Sequence, residues 1–159
     1  MLEIDQPGIL QFHAFLLANT PQRLASFERA LQQRVSPGDV VLDLGTGSGI
    51  LAMLALRAGA RTVYGVEDSD AIELARILCA ANGVADRIDL WHQPSLSVEL
   101  PVPADVLIAD IFDTFGLQPG GLGCLLDARR RLLRETATLI PPRWTSTSRP
   151  SKPPRPTTG

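Results

Sequence analysis

The run Val40-Val41-Leu42-Asp43-Leu44-Gly45-Thr46-Gly47-Ser48-Gly49 constrains this chain more than any other stretch. Its first five residues, mostly apolar and partly β-branched, read as a buried strand. Glycines at alternate positions follow at once. They let the backbone turn tightly and come close to a ligand. The apolar run from Ile50 to Ala58 then reads as a helix, so the turn delivers its ligand to a helix N-terminus. Nucleotide-like cofactors often bind at such a place in an α/β sheet.

The spacing narrows the choice of cofactor. A dinucleotide site uses G-x-G-x-x-G. Here the pattern is Asp43-x-Gly45-x-Gly47-x-Gly49, and Ile50 stands where the third dinucleotide glycine belongs. A dehydrogenase is therefore disfavoured. Thr62-Val63-Tyr64-Gly65-Val66-Glu67 reads as the next strand, ending on an acid. Glu67 follows Gly47 by 20 residues, the interval at which this architecture places a carboxylate on ribose hydroxyls. A carboxylate accepts hydrogen bonds from both hydroxyls of a cis-diol.

A chain of 159 residues is one domain with enough length to bury a core. Its 45% apolar and 20% charged content is that of a globular protein. No apolar run is long enough to span a bilayer, and the N-terminus lacks a basic-then-apolar leader, so no membrane is expected and the cytoplasm is the expected location. Cys79 and Cys124 have no metal or redox spacing and read as small core residues on helices. His13 and His92 are far apart and suggest no metal. The net charge of −2 hides an asymmetry: residues 141–159 hold Arg143, Arg149, Lys152 and Arg155 and no acid. The remainder is acidic, which argues against nucleic acid and suits a cationic substrate.

Thr20 and Pro21 can open an N-terminal helix whose Leu24, Phe27 and Leu31 share one face. Ser36-Pro37-Gly38-Asp39 ends it. The pattern then predicts strand 40–45, helix 49–58, strand 62–67, helix 70–82, strand 88–92, strand 104–111, helix 121–134 and strand 136–140. Asp70 and Glu73 form a candidate capping box, with Leu74, Ile77, Leu78 and Ala81 as the buried stripe and Asn82-Gly83 as the stop. Near-continuous apolar strands alternating with helices imply an α/β fold, mostly parallel, with helices on both faces. Residues 145–159, rich in Pro, Ser, Thr and basic residues, are expected to be disordered.

With loop and acid in place, Val41 to Glu67 resembles the cofactor-binding core of the class I S-adenosylmethionine (SAM) methyltransferases, whose sheet is Rossmann-like. Within them it resembles the protein arginine methyltransferases. Residues 104–114, reading ADVLIADIFDT, are similar to that family's subtype with E-[IL]-F-D-T. The helix Leu125 to Leu133 and residues 138–142 continue the likeness, and Arg23 and Phe27 fit an R-x-x-x-[YF] helix. The resemblance covers roughly residues 10 to 144. It implies a methyltransferase domain over 1–144, with 1–36 as its N-terminal helical segment, and a protein or peptide substrate. It further implies that Arg23 holds the SAM carboxylate and that Asp43, Gly45, Thr46 and Gly47 shape the loop around methionine. Glu67 would bind ribose, and Ser95 would lie beside adenine.

For transfer to arginine the family uses two glutamates that grip the guanidinium. At the first position this sequence has Asp110, shorter by one methylene, or about 1.5 Å of reach. Misplacement of about 1 Å can cost roughly 100-fold in rate. The second position should fall near Gln118-Pro119-Gly120, where no acid occurs; Asp113 is the nearest alternative. The family also continues into a substrate-binding β-barrel, whereas this sequence passes from Trp144 into its basic tail, as a truncated form would. Three readings stay open: an arginine-type methyltransferase, a methyltransferase for a ribosomal protein or small molecule, and a non-catalytic SAM-binding module.

Overall fold

The computed structural model describes residue 8 and residues 21–113, 116–117 and 120–142. The candidate cap Thr20, His13, Gln118-Pro119 and the tail 145–159 lie outside the described residues. The elements in chain order are α1 (Pro21–Arg34), β1 (Val40–Leu44), α2 (Ile50–Ala58), β2 (Thr62–Glu67), α3 (Ala71–Ala81) and β3 (Ile88–His92). A 3₁₀ turn, Ser95–Ser97, follows, then β4 (Ala104–Ala109), β5 (Phe112–Asp113), β6 (Gly116–Leu117), α4 (Gly121–Arg131) and β7 (Leu133–Ile140).

Five strands form one sheet in the order β3-β2-β1-β4-β7, and every pairing in it is parallel. β1 is central, and all five of its residues are buried, because helices cover both faces. Alternate residues of each strand serve opposite sides. Val41, Val63, Val106 and Ile108 pack under α1, α2 and α3 with Phe27, Leu31, Leu51 and Ile72. Val40, Leu42, Leu44, Val66 and Leu107 pack on the other side with Val98, Ala128 and Leu132. Cys79 belongs to the first of these cores and half-buried Cys124 packs against the second.

Several local expectations are corrected. The buried stripe of α3 is Ala71, Ile72, Ala75 and Cys79, whereas Ile77 is 47% exposed. Small residues face inward because α3 lies against the glycine loop: a Cβ on Gly49 would stand 3.1 Å from the Ala75 Cβ. Asp70 makes no capping hydrogen bond. The Ser69 carbonyl and hydroxyl accept the amides of Ile72 and Ala71 instead. Asn82-Gly83 does end the helix, with Gly83 at φ +67.

The sheet segment expected over 104–111 leaves the sheet after Ala109, and the helix expected to reach residue 134 stops at Arg131. β7 starts early, at Leu133, which pairs with Ala104. Between that pair and Val106↔Thr138 the register breaks, so that Asp105 alone faces the stretch from Arg134 to Ala137. Asp105 accepts the Val40 amide and pairs with Arg134 at 2.8 Å, while the Arg129 guanidinium donates to the carbonyls of Arg134 and Glu135. The antiparallel pair β5–β6 was not foreseen in the sequence pattern.

Candidate functional site

At the C-terminal end of β1 the chain enters the glycine loop with Gly45, Gly47 and Gly49 at φ +74, +53 and +76. Residues with a Cβ avoid this region, which explains the alternate glycines. The amides of Gly45 and Thr46 both donate to the Val66 carbonyl, at 2.9 and 3.0 Å, so the loop is tied across to β2. Gly65 makes room for that tie: a Cβ there would meet Leu90 Cδ2 at 2.8 Å and Thr46 Oγ1 at 3.1 Å.

Asp43, the penultimate residue of β1, is 1% exposed. The Thr46 hydroxyl donates to its Oδ2 at 2.7 Å, while its Oδ1 is buried without a partner. Burial raises its pKa from 3.8 to about 7 against the lowering effect of the Thr46 hydrogen bond; the carboxylate of Asp110 pushes it up further, and the Ala52 amide, too poorly placed for a full hydrogen bond to Oδ1, lowers it slightly. An acceptor left unsatisfied in this way costs free energy unless a ligand group completes it.

Glu67 ends β2 beside the loop. Its Oε2 accepts the Gly47 amide at 2.9 Å, and its Oε1 accepts the Ser69 amide and hydroxyl at 3.0 and 2.7 Å. Three bonds leave one of the carboxylate's acceptor positions free and fix its orientation. Loop and acid are thus joined directly, a contact that the spacing alone did not specify.

Arg23, in the first turn of α1, forms an ion pair with Asp110, just past the end of β4. The next residue, Ile111, seals the loop from this side: a Cβ on Gly45 would stand 3.0 Å from Ile111 Cγ2. Arg23, Asp43, Glu67 and Asp110 therefore surround one loop. Ser95 lies a few residues past His92, whose register partner is Glu67. Its carbonyl accepts the Val98 amide and a bond from Arg131, and no hydrogen bond ties it to the loop residues. Asp113 lies on β5 in register with Gly116, and its side chain is outside the described residues. Among the described residues no group of His, Cys, Asp and Glu could hold a metal ion.

A model of the family described as "Ribosomal protein L11 methyltransferase (PrmA)" matches residues 26–115, more than half of the sequence. The chain belongs to this methyltransferase family. The chain is also similar to an "Arginine N(omega)-methyltransferase" of Streptomyces achromogenes subsp. streptozoticus, at 33% identity over 87% of this chain and 40% of the relative. Rice "Protein arginine N-methyltransferase PRMT10" is 41% identical over 65% of this chain and 27% of its own length. Among solved structures, the "Trypanosoma brucei PRMT1 enzyme-prozyme heterotetrameric complex with AdoHcy" superposes with a TM-score of 0.75 at 31% identity, covering 80% of this chain and 41% of that one. The chain thus spans less than half the length of these relatives.

Three contributors to this candidate site were missed in the sequence. Ser69 holds Glu67, Gly65 admits Thr46, and Ile111 packs on Gly45. Only Ser69, two residues past the acid, left a usable signal there; the other two act through contacts between strands.

Proposed function

We propose that this chain binds S-adenosylmethionine and transfers its methyl group to an arginine guanidinium. The observation that carries the cofactor half is the buried, partnerless Asp43 Oδ1 beside a loop of positive-φ glycines, with a fixed carboxylate at the end of the next strand. These residues fit the group. Asp43 offers an acceptor to the cationic methionine moiety, and Glu67 has acceptor capacity left for a ribose hydroxyl. Arg23 supplies a cation for the amino-acid carboxylate, and Ser95 borders the adenine. When bound, the cofactor supplies an electrophilic methyl on a sulfonium.

The chain's own part is positioning. Asp110 takes hold of the acceptor guanidinium by charge-assisted hydrogen bonds and turns one nitrogen toward the donor, with Asp113 as the second carboxylate. Holding the reactants at attack distance supplies most of the rate gain that such a displacement needs. An arginine acceptor is supported by the names of the similar proteins, both arginine N-methyltransferases. It is supported too by the Asp-Ile-Phe-Asp-Thr segment. The acceptor arginine is read as part of a protein or peptide. Action in the cytoplasm belongs to the same proposal and rests on the sequence alone.

Calorimetric titration of the full chain with SAM and with S-adenosylhomocysteine tests the first half. Binding is expected, and none at millimolar ligand would sink the proposal. Methyl transfer to an arginine-rich peptide tests the second half, and transfer that survives Asp110→Ala would remove Asp110 from the guanidinium clamp. A ribosomal-protein acceptor is a second reading, favoured by the description of the matching family. Transfer to purified ribosomal proteins but not to the arginine peptide would select it.

A further inference from the structure

Three acids, Asp43, Glu67 and Asp110, lie about the glycine loop, and each has a different kind of partner. Asp43 is bonded by a hydroxyl, Glu67 by amides and a hydroxyl, and Asp110 by the guanidinium of Arg23. Among the described residues Arg23 is the one cation bonded to any of the three. A cofactor with an amino-acid end brings a carboxylate to this acidic neighbourhood and needs that cation. An arginine acceptor needs Asp110. One ion pair therefore holds a partner for each ligand, and the guanidinium now on Asp110 is of the same chemical kind as the acceptor's.

We propose that Arg23 masks Asp110 in the free chain and leaves it for the donor's carboxylate, so that donor and cationic acceptor bind with positive coupling. This rests on the function proposed above. The first ligand to arrive separates Arg23 from Asp110, and the second finds its partner already released. Linkage makes the effect reciprocal: each ligand tightens the other by the same factor. Ile111 against Gly45 keeps the backbone beside Asp110 close to the loop. The side chains of Arg23 and Asp110 are 38% and 25% exposed, which gives both room to move. A pair so exposed is weak, and its separation corresponds to a change in affinity of about two- to fivefold.

The test is calorimetry on the full chain and on Asp110→Asn, with S-adenosylhomocysteine, with methylthioadenosine (which lacks the carboxylate) and with a short arginine-containing peptide. Asp110→Asn should bind S-adenosylhomocysteine about two- to fivefold tighter than the native chain, because Arg23 is no longer engaged. Methylthioadenosine should bind both alike, which also shows that the variant is folded. The peptide should tighten S-adenosylhomocysteine on the native chain and have no effect on the variant. Arg23→Gln should weaken S-adenosylhomocysteine and leave methylthioadenosine unchanged. Equal or weaker S-adenosylhomocysteine binding by Asp110→Asn would overturn the proposal while leaving the cofactor site standing. Failure of the native chain to bind either adenosyl ligand would overturn the proposed function itself.

Discussion

The proposed donor side and the proposed acceptor side of this site are built differently. On the donor side Asp43 and Glu67 sit on the two adjacent strands β1 and β2, and their oxygens are bonded by Thr46, Gly47 and Ser69. The loop between them is tied to β2 by backbone hydrogen bonds. On the acceptor side Asp110 stands beyond the end of β4 and is held by one partly exposed ion pair. The two-residue strands β5 and β6 follow. Hydroxyls and backbone amides of the loop and strand ends fix the first arrangement; one side-chain ion pair beyond a strand end fixes the second. The first resists substitution, and the second can change acceptor without disturbing the fold.

The contrast can be broken experimentally, beginning with the largest effect. Leu42→Ala, under the donor side in the centre of β1, should cost about 2–5 kcal/mol of stability, read from urea unfolding. A loss below about 1 kcal/mol would show that β1 is less well packed than its burial implies. Next comes the pH dependence of Asp43. Its pKa is raised from 3.8 to about 7, chiefly by burial. The folded chain therefore holds this proton more tightly than the unfolded one. Its contribution to stability is fully present below 3.8 and is lost as pH rises to about 7. Asp43→Asn should remove that decline, seen as a changed slope of urea midpoints across the interval; an unchanged slope would assign the decline to other groups.

Glu67→Ala should weaken cofactor binding by about 1–3 kcal/mol, the range for hydrogen bonds to a charged group. Unchanged affinity would take Glu67 out of the site. Gly45→Ala, at φ +74 and facing Ile111, should destabilise by about 1–2 kcal/mol in thermal or urea melts. Asp110→Asn should be the mildest for folding, within about 1 kcal/mol, while abolishing the preference for a cationic acceptor. A large stability loss there would mean that the two sides are not built differently after all.

The glycine loop and the acid beside it were legible in the sequence because their signals are local. Alternate glycines state the loop conformation, and the interval from Gly47 to Glu67 is set by one helix and one strand. The hydrogen bond between those two residues realises that interval. The inner face of α3 was misread for the opposite reason. Hydropathy favours Leu74, Ile77 and Leu78, yet the close approach of α3 to Gly49 demands the small Ala75 and Cys79. Nothing local encodes that distance. The early start of β7 was likewise hidden, since it depends on Leu133 meeting Ala104 across the sheet. The pairing of Arg23 with Asp110 joins residues far apart in sequence, and no periodicity could have shown it.

The Arg129 guanidinium on the carbonyls of Arg134 and Glu135 has a consequence for solubility. β7 is at the border of the five-stranded sheet, where open carbonyls and amides could recruit a foreign strand. Its first half is bent out of register, lined with Arg134 and Glu135, and has two acceptors already taken. A second chain approaching there meets charge and a broken ladder, so association through this border is discouraged without any loss to the half-buried stretch that ends at Ile140.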